Sequence, residues 1–177
     1  MLLLLASYND LSEEMQLNLI RNGNRKVSEV IAGCIELPKN VQLELLKNKD
    51  MNIRGNLAKN SKLCESVQLD LISNDYYNYS AKQEIAKNSN IIESIQEKLI
   101  RESESFVRSY LAKNKSITEN IQIILARDED SYVRCCLAEN ESLIENIQII
   151  LARDEEPSVR LALLDNKNYI SAVMGGK

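Results

Sequence analysis

Residues 112–137 read AKNKSITENIQIILARDEDSYVRCCL and residues 138–163 read AENESLIENIQIILARDEEPSVRLAL; the two agree at 17 of 26 positions without a gap. Self-similarity at this period decides the fold class, because a segment of that length is one supersecondary unit that cannot bury its apolar faces alone. The same register carried back along the chain places anchors at Ala6, Ala32, Ala58, Ala86, Ala112 and Ala138, with Leu164 seventh, at steps of 26, 26, 28, 26, 26 and 26 residues. The units are 6–31, 32–57, 58–85, 86–111, 112–137 and 138–163, with a part-unit at 164–177. They read as a single repeat domain over 1–177 that leaves no room for a separate catalytic domain.

Each unit holds two helical segments. The first runs toward the anchor, as in Asp130 to Asn140, with Val133, Leu137 and Ala138 spaced along one helix face. Asp50, Asp130, Glu104 and Glu156 stand at its start, where a carboxylate meets orphan amides, and Pro157 falls one residue inside, where its missing N–H costs nothing. Asn60, Asn88, Asn114, Asn140 and Asn166 recur two places after the anchor, and asparagine's tolerance of the left-handed conformation marks them as helix stops. A short link with one aliphatic residue (Leu11, Leu37, Leu63, Ile91, Ile117 or Leu143) leads to the second segment. Its buried stripe is Ile121, Leu125 and Ala126, or Val67, Leu71 and Ile72. Link and helices are so short that one helix of each pair could be a 3₁₀ turn. Stacked units of this kind make an all-α solenoid of about six 26-residue two-helix repeats, with contacts between neighbours only.

Leu111-Ala-Lys-Asn114, then a link, then Leu125-Ala-Arg-Asp-Glu-Asp130, then Val133-Arg134, resembles the leucine-rich repeat variant, an α/3₁₀ solenoid akin to HEAT and armadillo arrays. The resemblance covers nearly the whole chain and is clearest over 99–166; the chain has few of the prolines that such repeats carry in their links. It implies a right-handed superhelical array and a binding role, and no particular chemistry.

Composition narrows the function classes. The chain has no histidine, so Ser-His and Cys-His nucleophilic pairs and His-ligated metal sites are excluded. Five glycines and two prolines do not build a phosphate cradle. With 22 basic and 26 acidic residues the formal charge is −4, which gives no global reason to expect nucleic acid or an anionic membrane. The opening MLLLLASYND has only four leucines in a row, and no other apolar run approaches the roughly 20 residues a bilayer needs. Cys34, Cys64, Cys135 and Cys136 show no CxxC spacing and read as small buried thiols. The expected compartment is the cytoplasm.

Several columns of the repeat invite a functional reading. Arg54, Arg108, Arg134 and Arg160 each follow an acid by four residues, the favourable order for a helix ion pair; they form either a structural ladder or an anion-binding row, and the acids beside each arginine argue against the row. Gln16, Gln42, Gln68, Gln96, Gln122 and Gln148 hold one residue type in all six units, as amides that bridge stacked helices would. Arg101, Arg127 and Arg153 at the ends of successive second helices form a candidate positive row, opposed by their neighbours Glu102, Asp128 and Asp154. One outward column runs Asn18, Glu44, Asp70, Lys98, Ile124, Ile150; the two isoleucines mark either an exposed contact patch or a surface that residues 167–177 fold back to cover. The two-residue insertion brings Tyr76, Tyr77 and Tyr79 together, either as interface residues or as a local plug of the irregular joint.

The chain is therefore expected to be a non-catalytic, cofactor-free interaction or scaffold module that binds a protein along its concave face or at the isoleucine patch. A nucleic-acid-binding HEAT-like solenoid is the alternative; it would need a basic concave face and stacking aromatics. The open ends of the array leave room for a homodimer through them.

Overall fold

The computed structural model describes residues 11–34, 36–73 and 79–169. Among these residues the chain forms twelve α-helices and no strand. It divides into two units. Met1–Ile92 carries α1 (Glu13–Asn22), α2 (Arg25–Ala32), α3 (Lys39–Leu46), α4 (Met51–Ala58), α5 (Glu65–Leu71) and α6 (Tyr79–Lys87). Glu93–Lys177 carries α7 (Glu93–Leu99), α8 (Ser105–Ala112), α9 (Glu119–Leu125), α10 (Ser131–Ala138), α11 (Glu145–Leu151) and α12 (Pro157–Leu164). Even-numbered helices run toward the anchors, and odd-numbered ones follow the links. Both members of each pair are α-helices, so neither is the 3₁₀ turn that their brevity allowed. Three-residue bonds occur at the helix ends, as from Asn114 N–H to Leu111 O at 2.9 Å and from Arg127 N–H to Ile124 O at 3.0 Å.

Helices of seven to ten residues are too short to stand alone in water, so packing holds them. In the first unit α2 packs on α4 and α4 on α6; in the second α8 packs on α10 and α10 on α12. The odd helices of the second unit touch chiefly the even helices beside them. The core is the expected stripe: Val133, Leu137 and Ala138 of α10, and Leu125 of α9, have no exposed surface, and the link residues Leu37, Leu63, Ile91, Ile117 and Leu143 are buried.

Short helices also leave many orphan carbonyls and amides for their length. The asparagines do not meet this need by turning left-handed: no non-glycine residue among those described has a positive φ. Their side chains cap the neighbouring repeat instead. The Asn140 amide donates to Ala112 O and Asn114 O at 2.8 and 3.0 Å, and Asn166 to Ala138 O and Asn140 O at 2.7 and 2.9 Å. Asn60 reaches Cys34 O, and Asn88 reaches Asn60 O. Each side-chain oxygen accepts from a backbone N–H two residues on, as with Ser142 on Asn140 and Asn168 on Asn166. A β-branched or aliphatic residue there would strand several buried groups at once.

The glutamine column does the same for the links. Gln42 donates to Leu37 O in its own link and Lys62 O in the next, and accepts from Cys64 N–H at 3.0 Å. Gln122 donates to Ser142 O and accepts from Ile144 N–H, and Gln96 makes the same pair with Ser116 and Thr118. The bonds of these glutamines thus go to links, the following one and for Gln42 also its own, rather than to the stacked helices. Gln16 is the exception. The residue 22 places on is Pro38, which has no N–H to give, and the buried Gln16 Oε1 has no partner among the described residues.

Pro38→Ala restores that donor. The gain from satisfying a buried acceptor, about 1–3 kcal/mol, outweighs the loss of proline's restraint on the unfolded chain, at most about 1 kcal/mol. Denaturant unfolding of the variant should show a net gain of about 1 kcal/mol. The gain should vanish in a Gln16→Leu background, a coupling read from the double-mutant cycle.

Candidate interaction surface

The turns that follow α7, α9 and α11 lie side by side in the second unit and gather most of the residues singled out from the sequence. The base of this surface is a set of buried ion pairs. Arg108, held on α8, sends Nε and Nη2 to the two oxygens of Asp128 at 2.7 and 2.9 Å, and Nη1 to Glu102 O at 2.6 Å. Arg134 repeats this with Asp154 at 2.7 and 3.0 Å and with Asp128 O at 2.7 Å. All four side chains are more than nine-tenths buried. In the first unit Arg54 pairs with Asp70 and donates to Leu46 O. The acid that serves each arginine therefore comes from the following repeat, 16 or 20 residues on, and not from four residues before it. The i−4 acids have other duties: Asp50 and Asp130 cap their own helices, and Asp50 also holds Arg25 of the preceding repeat.

Two-pronged pairing of this kind fixes the guanidinium plane as well as its charge. The hydrogen bonds that Arg108 and Arg134 donate to Asp128 and Asp154 hold the pKa values of the two arginines above the ordinary arginine value. Burial, the largest influence on Asp154, pushes its carboxyl up. The bonds from Arg134 and the Glu156 N–H, with the charges of Arg134 and Arg160, outweigh that and leave it below the usual carboxylate value.

Above these pairs lie two shallow depressions. One, of about 460 Å³, has Ala126, Ile150 and Asp154 in its lining and Arg127 and Arg153 beside them. The other, of about 380 Å³, is lined by Ile100, Arg101, Glu102, Ser103 and Arg108. They share Asp128 and Glu129 as a common wall. Arg101, Arg127 and Arg153 are exposed and hold no carboxylate among the described residues. Ile124 is 49% exposed, whereas Ile150 is half-buried. The side chains of Glu129 and Glu155 are 88% exposed on the same rim, with only long contacts of 3.5 and 4.0 Å to Arg108 and Arg134. The surface thus carries both signs of charge around an aliphatic floor.

Tyr76 and Tyr77 lie outside the described residues, as does the side chain of Tyr79, which begins α6. Of the stretch 167–177, residues up to Tyr169 are described, and Tyr169 is half-buried. The sequence reading missed an aromatic pair. Phe106 and Tyr132, on α8 and α10, are 58% and 51% exposed and meet edge to face with ring centres 6.3 Å apart. Beside them Lys113 pairs with Glu139 at 2.9 Å. The available signal was positional: each aromatic directly precedes a buried valine, Val107 or Val133, and so faces away from the core.

The four cysteines are free thiols; only Cys136 is buried as expected, with its pKa raised by that burial, whereas Cys34, Cys64 and Cys135 are half-buried because they lie off the buried stripe. Among the described residues no group of three or more Cys, Asp or Glu side chains could hold a metal ion, and no helix is long and apolar enough to cross a membrane.

No family model matches the chain, and no curated protein does. Among solved structures the chain is similar to one described as "a leucine-rich repeat variant with a novel repetitive protein structural motif", at 21% identity and a TM-score of 0.61. The match covers 88% of this chain and 62% of that one, so this chain spans under two thirds of its length. The likeness establishes a leucine-rich-repeat-variant-like helical repeat fold.

The buried pairs set an acid dependence. A carboxyl with a depressed folded-state pKa contributes stability above its unfolded value of about 3.9 and loses that contribution as pH falls through the folded value. The thermal midpoint should therefore drop on acidification below about pH 4. Asp154→Asn should flatten that acid limb. By removing the charge opposite buried Arg134 it should also lower stability at neutral pH by about 3 kcal/mol, measured by calorimetry.

Proposed function

We propose that this chain is a non-catalytic recognition module that binds another polypeptide across the turn face of its second unit. One observation carries the reading: Arg127 and Arg153 stand exposed and unpaired on either side of half-buried Ile150, over a depression whose deeper charges are already saturated. Arg134 and Asp154 consume each other's hydrogen-bonding capacity, so they hold the surface in shape and are not free to take a ligand. The outer arginines are free to do so. Arginine beside an aliphatic floor is a common interface anchor, because it offers a planar donor fork on an apolar stem. Ile124 and Arg101 extend the same surface to the neighbouring turn.

The class of partner follows from the sign of the charges. Glu129 and Glu155 project from the rim that carries the arginines. A phosphate backbone would meet those carboxylates at each repeat, which disfavours the nucleic-acid alternative. A polypeptide with acidic and basic side chains around an aliphatic residue can match both signs. The helical repeat fold, similar to that of a leucine-rich repeat variant, supports a scaffold role.

Selection of peptides from a displayed random library on the immobilised chain tests this directly. Selected peptides should bind the wild type measurably by fluorescence anisotropy. Arg127→Glu with Arg153→Glu, or Ile150→Asp, should each weaken binding by about tenfold or more. Lys115→Ala, on another face, should leave it unchanged. Peptides indifferent to the turn-face variants would overturn the proposed site. Tight binding of a short DNA duplex, falling steeply with salt, would overturn the class of partner.

A further inference from the structure

Helix α12 (Pro157–Leu164) presents a face unlike that of the two helices before it in the stack. Leu161 and Leu164 lie three positions apart on one side of it and are each 60% exposed. In repeat register they correspond to Ser109 and Ala112 of α8 and to Cys135 and Ala138 of α10. Those smaller residues lie on helices that the next even helix packs against; Ala112 and Ala138 have no exposed surface. Small side chains let neighbouring helices approach closely. Two leucines in their place push a following helix outward, so the α12 face is not shaped for another repeat of the same kind at the same spacing.

Two charges flank the leucines. The Nη1 group of Arg160 is fixed by Asp154 O at 2.6 Å and Glu155 O at 3.0 Å. Its Nε and Nη2 edge, which in Arg108 and Arg134 receives an aspartate from the following repeat, has no partner among the described residues. Asp165, the C-cap of α12, is exposed, and its carboxylate also has no partner among them. The four residues form a self-complementary set. When two helices pair in parallel, Leu161 and Leu164 occupy the central a and d positions, and Arg160 and Asp165 the flanking g and e positions. In that arrangement charges at i and i+5 on opposite helices face each other, so Arg160 of each copy meets Asp165 of the other.

We propose that α12 is the interface of a two-fold homodimer. The leucines of two copies pack on one another, and Asp165 of the second copy supplies the carboxylate that Asp128 and Asp154 supply to the arginines before it. An isologous patch of this kind closes on itself and does not propagate into a filament. Leu161, Leu164 and Asp165 are not among the residues that line the turn-face depressions, and Arg160 adjoins that face only through its bonds to Asp154 O and Glu155 O, so the dimer does not require the recognition proposed above.

The test is the mass of the 177-residue chain in solution, by sedimentation and by light scattering. The expected particle has twice the 20.1 kDa of the chain. Leu161→Asp with Leu164→Asp should give monomers with an unchanged helical circular dichroism spectrum, since both side chains are exposed. Asp165→Arg should raise the dimer dissociation constant by about tenfold, whereas Asp165→Glu should keep the dimer. The exchange Arg160→Asp with Asp165→Arg should restore wild-type association. A chain monomeric throughout the micromolar range overturns the proposal, and is the result expected if residues 170–177 lie over the leucines instead. A dimer that survives the double leucine variant overturns it too, as does Asp165→Arg associating as tightly as Asp165→Glu.

Discussion

Every helix described here is short, and a short helix has almost as many unpaired backbone groups at its ends as paired ones within. Those ends are buried against neighbouring repeats, where water cannot satisfy them, so the repeat stands only if side chains do. The asparagine and glutamine columns meet that requirement. The asparagine amides reach back to carbonyls at the end of the preceding even helix, and glutamines such as Gln42 and Gln68 span their own link and the next. The hydrogen bonds that complete one repeat are thus supplied by the adjacent one. Hydrophobic burial drives the stacking, and the amides fix its register, since a slip by one residue would strand donors and acceptors in the core.

The buried arginines extend the same logic to charge. Arg108 and Arg134 would be costly to bury unpaired, and each is matched by a two-pronged aspartate and by turn carbonyls from its own repeat. This arrangement ties the turns of consecutive repeats together and makes the turn face of the second unit a rigid platform. The outer arginines Arg101, Arg127 and Arg153 do not share that duty and stand exposed. At Arg160 no carboxylate among the described residues takes the place of Asp128 and Asp154, and leucines replace small residues, so the repeat pattern breaks in charge and in size at the same helix.

Much of this was legible from periodicity. The spacing of Val133, Leu137 and Ala138 gave the buried face correctly; the aliphatic residue of each link was visible as a recurrence, and its burial at Leu37, Leu63, Ile91, Ile117 and Leu143 came with the structure. The isoleucine column was recognisable because Ile124 and Ile150 succeed Asn18, Glu44, Asp70 and Lys98 at a position that must face outward. Its two members nevertheless differ: Ile124 stands open, whereas Ile150 is half-buried in the lining of the depression beside Arg127 and Arg153. Phe106 and Tyr132 escaped notice because nothing in one helix shows that an outward residue will meet the outward residue of the next.

The sequence by itself determined the length of the repeat, the helical character of both its segments and the identity of the buried stripe. These depend on residue spacing along one chain, and helix geometry converts spacing into a face. It did not determine which groups meet between repeats. Acids four residues before the arginines looked like their partners, yet the partners lie up to 20 residues on; asparagines that looked like left-handed stops became caps for a neighbouring helix. Those outcomes depend on the distance and rotation between successive repeats, which side-chain volumes set collectively and only the packed structure fixes.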